Sequence, residues 1–446
     1  MQPTWLSHGV RFTAFVSSTM FLPGTQILAA EGRPTELAPF KVEAEFGVDG
    51  LRIQNSQSVL NQHLLEQHGL AQMQDIAGAA PNLFISNSDS RGFGDVLALR
   101  GSANSIFFSG PSVALYLDDV PSGSVSSYPS TLLNIETLIV KAGPQGTDYG
   151  RNAPAGVIDI KSRLPGGTHQ GKVLVDYGSF HARAVQLAFD GPVGAKAGYS
   201  ASFGYNEREG YLENTFLRRP ADDRQAFTGR GAFYVRPDET LQLRFGFLVE
   251  NIDDDATRLS SLFSPDRFDV SSDLNGTTKI DREQFSFQAR KKFSWGSFTS
   301  TTAWQDWELD PALTDLDLSP FPAAFSRVQQ EEKLWTQEFR FESNPTANKA
   351  QWRAGFFYLD SSTEGDALRQ FIVPPSAFVP PGFVQTERTL FDLGQKNLAG
   401  YANFDHPLSA ESILKLGVRF ERTESEIDRR KAAPIISVFP VRRMHR

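Results

Sequence analysis

Apolar and polar residues alternate strictly along much of the chain after residue 171. From Tyr199 to Tyr205 apolar side chains alternate with serine and glycine, and the same period of two returns from Leu241 to Val249. A period of two places the apolar side chains on one face of a β-strand. The pattern predicts eleven strands, at 171–177, 183–189, 197–207, 226–235, 240–251, 282–290, 297–308, 333–342, 350–361, 396–405 and 412–424.

The connections between these strands alternate in length. Those at 190–196, 236–239, 291–296, 343–349 and 406–411 are short, and those at 206–225, 251–281, 309–332 and 362–395 are long. A soluble sheet with one wet face would also alternate apolar and polar positions, but an outer-membrane barrel has short turns at one end and long loops at the other. Aromatic residues near strand ends are candidates for its interfacial girdles: Tyr205, Trp304, Trp307, Trp335 and Tyr358. We therefore predict an antiparallel transmembrane β-barrel over residues 171–446.

The N-terminal segment has a different composition. Arg11 is the only formally charged side chain before Glu31, and an apolar run ends in the small pair Ala29 and Ala30. This pattern predicts a secretory signal peptide over residues 1–30. Residues 31–54 are predicted to form a flexible arm with one short apolar segment.

Residues 55–165 combine a helix-like pattern with strand-like runs. The apolar spacing predicts a helix over 59–81, and strands are predicted at 83–86, 113–120, 133–140 and 156–162. The glycine-rich stretch 143–152 lies between two of these strands; it lacks the Lys-Ser/Thr pair of a phosphate-binding loop. The segment is predicted to be a small α+β domain.

Composition excludes several classes of function. The chain has 44 Lys and Arg against 52 Asp and Glu, a net charge of −8, which argues against a nucleic-acid binder. It has no cysteine, and His63 and His68 are spaced five apart, which does not suit a helical metal site. No catalytic constellation is present, so we expect a protein that is not an enzyme and that uses no metal or cofactor.

One stretch identifies a family. The sequence IETLIVKAGPQGTDYGRNAPAGVIDIK, residues 135–161, resembles the end of the plug domain of TonB-dependent outer-membrane receptors, and 99–105 and 113–121 resemble two other plug strands. Residues 335–343 and 414–425 resemble barrel strands of the siderophore-receptor-like branch. Asp148 departs from the family pattern, and Asp118 and Asp119 stand where the family carries Asp-Gly, which predicts a turn. The motif residues are Gly143, Pro144, Gly146, Tyr149, Gly150, Arg151 and Asn152.

The resemblance implies a plug domain followed by a 22-stranded barrel, of which eleven strands, about half, are counted here. We therefore expect a truncated or frameshifted receptor. It also implies a TonB box, the segment that pairs with a TonB-type energy-transducing protein. The residues that resemble it are Leu37, Ala38, Pro39, Phe40, Lys41, Val42, Glu43 and Ala44.

The function implied by the resemblance is TonB-dependent uptake of a scarce solute, foremost a ferric siderophore, by a monomer in the outer membrane of a Gram-negative bacterium. Vitamin B12, haem or a glycan are alternative ligands, and a non-transporting remnant or a soluble periplasmic β protein with enzymatic function are alternative identities. Within the plug, Arg91, Arg100 and Arg151 are hypothesised to pair with inward barrel carboxylates such as Glu250 or Glu338.

Overall fold

The structure is a computed structural model that describes residues 10–16, 56–78, 80–86, 95–104, 110–256, 259–260, 264, 266–344, 350–372, 383–409, 412–432 and 435–438. The predicted arm, with its TonB-box-like segment Leu37 to Ala44, lies outside these residues, as does Arg91. In the described parts of the chain, no helix has the length and apolar character needed to cross a membrane.

The α+β domain is built on two small sheets. The strands are β2 Ser56–Asn61, β3 Leu83–Ser86, β4 Val96–Leu99, β5 Ser102–Ala103, β6 Val113–Leu117, β7 Val120–Pro121, β8 Ile135–Ala142 and β9 Gly156–Ser162. The larger sheet has the order β2-β8-β9-β6-β7, in which β6 and β9 are parallel and the other neighbours antiparallel, and the smaller has the order β3-β4-β5. The apolar faces of both sheets share one core.

The helix predicted over 59–81 is largely wrong. Helix α1 covers only Gln62–Gln67, and a 3₁₀ helix covers Met73–Gly78. The side chain of Asn61 accepts a hydrogen bond from the Leu64 amide at 3.0 Å and so caps the start of α1. Gly69 follows at a φ of 67°, a conformation that helices do not continue. The apolar residues of this stretch therefore reach the core from a strand and two short helices.

The eleven predicted barrel strands are all present. They are β10 Gln170–Tyr177, β11 Arg183–Val193, β12 Ala197–Arg208, β15 Arg224–Val235, β16 Leu241–Asp254, β18 Thr277–Lys292, β19 Gly296–Asp315, β20 Ala324–Ser343, β21 Gln351–Ile372, β22 Phe383–Pro407 and β23 Ile413–Lys431. Each pairs antiparallel with the next along the chain. In the described residues, the additional strands β1 Val10–Val16 and β24 Ile435–Val438 pair with β10 and β22. Strand β1 lies within residues 1–30, the predicted signal peptide. The signal-peptide assignment stays a prediction.

Two of the predicted long loops are wrong. Strands β19 to β22 continue through most of 309–332 and 362–395: residues 316–323 connect β19 to β20, β21 ends at Ile372 and β22 begins at Phe383. These strands continue with polar side chains beyond the apolar band. The point where the apolar alternation stops in the sequence is therefore not the end of the strand. The connections 209–223 and 255–276 are long, and they contain a small sheet of β13 Leu212–Asn214, β14 Arg219–Ala221 and β17 Asp269–Val270.

The two faces of the large sheet differ in chemistry. Large apolar side chains such as Phe245 and Phe285 are about half exposed on the outer face, whereas the inner face buries polar side chains against the plug. Trp304 and Trp335 are paired on the outer face, and their place in an interfacial girdle stays a prediction. Trp307 is only 1% exposed and faces inward, so its assignment to the girdle is wrong. Trp304 and Trp307 are three positions apart, and an odd spacing on a strand changes the face.

Candidate functional site

The plug motif forms a loop between β8 and β9 that is braced from within the plug. Gly143 adopts a φ of 104° and donates its amide to the Ala155 carbonyl at 2.8 Å. The Tyr149 hydroxyl donates to Asp159 at 2.9 Å. Since only glycine adopts such a backbone conformation without strain, the first motif glycine sets the direction of the loop.

The barrel holds this loop mainly by its backbone carbonyls. Arg419 on β23 donates to the carbonyl oxygens of Gly146, Tyr149 and Gly150 at 3.0, 3.3 and 2.7 Å. Asn403 on β22 donates to the Thr147 carbonyl at 3.1 Å. These contacts recognise the shape of the loop, because every residue type has a carbonyl oxygen.

The side chain of Asp148 also meets the barrel wall. Its carboxylate accepts hydrogen bonds from Asn403 at 2.6 Å and from Arg353 on β21 at 3.3 Å. Arg353 also donates to the Asp148 carbonyl at 3.2 Å. The acid that departs from the family pattern thus has two barrel donors.

Gly150 lies against the ring of Phe357 on β21. A Cβ atom at this position would lie 2.5 Å from Phe357 Cδ2 and 3.1 Å from the carboxyl carbon of Glu338. Phe357 is fully buried. Glycine is therefore required here because the barrel wall approaches the plug backbone directly.

The hypothesis about plug arginines is wrong for Arg151. Its guanidinium donates to the carbonyls of Ser122 and Gly123, the latter at 2.7 Å, both within the plug. Glu250 pairs with the barrel residue Arg282, and Glu338 accepts from a barrel tyrosine hydroxyl. Arg100 lies in the turn between β4 and β5 at a φ of 53°.

Barrel glutamates instead accept hydrogen bonds from the plug. Glu250 on β16 accepts from the Ser130 hydroxyl at 2.5 Å and from the amides of Ser130 and Thr131 at 3.2 Å. Thr228 on β15 and Arg282 on β18 donate to the same carboxylate. Glu250 is 2% exposed, so its charge is compensated entirely by these donors.

A second glutamate holds the preceding plug residues. Glu332 on β20 accepts from the Ser124 amide at 2.9 Å and from its hydroxyl at 2.5 Å. Gly123 leaves room for this carboxylate, since a Cβ atom there would lie 1.8 Å from Glu332 Oε1. Gln305 on β19 donates to the Pro121 carbonyl at 2.7 Å.

Asp118 and Asp119 form the turn between β6 and β7, as predicted. Both have positive φ, 54° and 69°, and Leu117 pairs with Val120, which is the geometry of a two-residue type I′ hairpin. The sequence did not reveal the second role of this turn, which is to contact the barrel. Asp118 accepts from Arg244 on β16 at 2.6 Å.

Asp119 contacts plug and barrel at once. It accepts from Lys161 on β9 at 2.8 Å, from Arg340 on β20 at 3.3 Å and from Gln288 on β18 at 3.2 Å. Burial raises the pKa of Asp119, but the charges of Lys161 and Arg340 outweigh burial and hold that pKa well below its ordinary value.

Asp118 and Lys161 are also held in their charged forms. Burial raises the pKa of Asp118, but the charges of Arg244 and Arg230 and the hydrogen bonds from Ser162 lower it overall. Burial lowers the pKa of Lys161, but Asp119 and Asp159 raise it overall.

Sequence reasoning named Glu250 among the inward barrel carboxylates that meet the plug, although with another plug partner, and it missed the other barrel partners of the plug. Glu250, Arg282, Glu332 and Arg340 all occupy predicted strands or their extensions, at positions of the polar, inward-facing set. A charged side chain at an inward position of a barrel strand was the available signal. In the described part of the chain, no group of three or more His, Asp or Glu side chains could hold a metal ion.

Comparison with known families agrees with the described fold. Residues 49–157 match the TonB-dependent Receptor Plug Domain. The chain is 29% identical over 138 residues to the pesticin receptor of Yersinia pestis, and this match covers 31% of the chain and 20% of that receptor. It is 28% identical over 162 residues to the catecholate siderophore receptor Fiu of Escherichia coli K12, covering 32% of the chain and 20% of that receptor.

Solved structures resemble the chain over most of its length. The ferric yersiniabactin uptake receptor FyuA of Yersinia pestis superposes with a TM-score of 0.65 at 16% identity, covering 86% of this chain and 62% of that one. The ferripyoverdine receptor of Pseudomonas aeruginosa gives 0.64 at 14% identity, covering 88% and 55%. The chain thus spans less than two thirds of these receptors, and it shares their fold.

Proposed function

Because the chain carries the plug domain of TonB-dependent receptors inside a sheet with the fold of their barrels, we propose that it acts in the active uptake of a scarce extracellular solute through the outer membrane. The proposed solute class is the ferric siderophore. The names of several similar proteins support this class, since they are receptors for catecholate siderophores, ferric yersiniabactin and ferripyoverdine.

The observation that carries the proposal is the polar character of the contact between plug and barrel. Hydrogen bonds and ion pairs dominate it, as at Glu250, Glu332 and Arg419. Water can replace such partners when the plug moves, whereas apolar contacts would be lost without compensation. A polar contact surface therefore lets the plug shift and open a path at a lower cost in free energy than an apolar one.

Energy would enter through the arm. We propose that Leu37 to Ala44 pairs as an added strand with a TonB-type partner, so that main-chain hydrogen bonds supply most of the affinity. Val42→Pro removes one backbone donor and should abolish uptake, whereas Val42→Ala should keep most of it. Equal loss from both variants would argue against strand pairing.

A reversible disulfide tests whether the plug must move. The chain has no cysteine. A Cβ atom at Gly417 on β23 would lie 3.4 Å from the Cβ of Thr147 in the plug loop, at the short end of disulfide geometry. Thr147→Cys with Gly417→Cys therefore ties plug to barrel.

The matched control is Gly178→Cys with Ala182→Cys, in the turn between β10 and β11, where the Cβ atoms would lie 3.6 Å apart. Uptake of iron-55 is measured in cells given ferric yersiniabactin, ferripyoverdine, a ferric catecholate or ferrioxamine B. We expect the plug disulfide to stop uptake until it is reduced, and the control disulfide to leave uptake unchanged. Absence of uptake of all four probes by the unmodified chain would contradict the siderophore proposal.

A further inference from the structure

The turn between β6 and β7 contains a residue type that the backbone conformation of the turn does not favour. The second central residue of a type I′ turn is most often glycine, because φ is positive there. This chain places Asp119 at that position with a φ of 69°. A side chain kept in a disfavoured conformation points to a role for that side chain.

The contacts of Asp119 supply that role. Its two carboxylate oxygens meet Arg340 on β20 and Gln288 on β18, while the adjacent Asp118 meets Arg244 on β16. Two aspartates in one turn thus join the plug to three barrel strands. Arg244 and Arg340 are 10% and 16% exposed, so solvent screens these pairs only partly.

The acids and bases of this contact are matched. Asp118, Asp119 and Asp159 from the plug and Glu342 from the barrel lie with Lys161 of the plug and with the barrel guanidiniums of Arg244 and Arg340. Arg230 on β15 adds a donor to the Ser162 hydroxyl at 2.9 Å. Removing one carboxylate therefore leaves an excess of positive charge between plug and wall.

From this geometry we infer that Asp119 is a positioning residue, an acid placed at the glycine position of the turn so that the plug is fixed to the barrel wall through Arg340 and Gln288. Its bearing on transport rests on the proposed function, whereas the attachment itself does not. Asp148, which meets Arg353 and Asn403, fixes a second plug turn in the same way.

The substitution Asp119→Gly separates the two roles of the residue. If Asp119 only formed the turn, glycine would fit the backbone better and the plug would become more stable. If Asp119 fixes the plug, Asp119→Gly should speed amide hydrogen exchange in β6 and β9 about tenfold, and Asp119→Asn should act in the same direction.

The matched control is Asn82→Gly. Asn82 is an exposed plug residue with a φ of 58°, so glycine relieves the same kind of strain without removing a charge. We expect exchange in β6 and β9 to be unchanged or slower in this variant.

A double-mutant cycle assigns the effect to the barrel. Arg340→Gln should speed exchange as Asp119→Asn does, and the double variant should add little to either one. Slower or unchanged exchange in Asp119→Gly, or full additivity with Arg340→Gln, would overturn the inference. Because hydrogen exchange needs no solute and no energy source, a failure here is distinct from a failure of the uptake proposal.

Discussion

The barrel holds the plug at two regions by different dominant contacts. From Asp118 to Thr131 the barrel binds polar and charged side chains of the plug: its glutamates accept hydrogen bonds from plug serines, and its arginines pair with plug aspartates. From Gly143 to Asn152 it mainly follows the shape of the plug backbone, since Arg419 and Asn403 reach carbonyl oxygens and Phe357 packs on a glycine. The ion pair of Asp148 with Arg353 adds a charged contact there. The first region should be sensitive to charge and the second to bulk.

The largest effect is expected in the first region, from Glu250→Gln. This change removes the ion-pair partner of the buried Arg282 and weakens the acceptor of Ser130 and Thr131. Breaking a buried ion pair on one side costs about 3–5 kcal/mol. Amide exchange in β6 and β9 measures the loss in the free energy of plug opening. Glu283→Gln, on the outer face of the sheet, is the control. Similar exchange in the two variants would remove the distinction between inner and outer carboxylates.

The second region should respond most to added bulk. Gly150→Ala brings a methyl group to 2.5 Å from Phe357, and overpacking of this kind costs about 1–3 kcal/mol. Gly167→Ala, where nothing lies within 4 Å of the added atom, is the control. Partial proteolysis should cut the plug loop faster only in Gly150→Ala. Equal cutting would show that the contact with Phe357 is not tight.

A pair of matched arginine variants compares the regions directly. Arg419→Lys keeps the charge but loses the fork that reaches three carbonyls, whereas Arg244→Lys keeps a single ion pair to Asp118. We expect Arg419→Lys to lower the free energy of plug opening by about 1–2 kcal/mol, seen as faster amide exchange, and Arg244→Lys to lower it by less. The reverse order would contradict the assignment of shape to one region and charge to the other.

The smallest effect is expected from pH. The pKa values of Asp118 and Asp119 are lowered in the folded protein, so their stabilising contribution is complete above their ordinary pKa of about 4 and is lost only as pH falls through the lower folded values. Lys161, Arg230, Arg244 and Arg340 face these acids and stay charged over this range. Plug exchange, corrected for its intrinsic pH dependence, should not change between pH 8 and pH 5. A marked change would mean that another group controls the attachment.

The fold could be predicted well where one physical rule acts along the chain. The period of two located all eleven barrel strands, because lipid and the barrel interior impose opposite demands on alternate side chains. The same rule, applied consistently, would have placed Trp307 inside. The rule did not locate strand ends, since β19 to β22 extend with polar residues where the outer face has left the apolar band.

The site could be predicted in its residues but not in its partners. Gly143 and Gly150 stood out as turn glycines, and Asp118 and Asp119 as a turn. That Arg151 would contact its own domain, and that Asp119 would contact β18 and β20, depended on which barrel residues lie opposite.

By itself, the sequence determined the alternation of strand faces, the order of strands and the turns of the plug, because these depend on neighbouring residues and on backbone conformation. Only the tertiary structure decided which charge meets which across the plug surface. Such pairs join residues more than 100 positions apart, and their choice depends on how the plug is rotated within the sheet, a quantity that no local pattern contains.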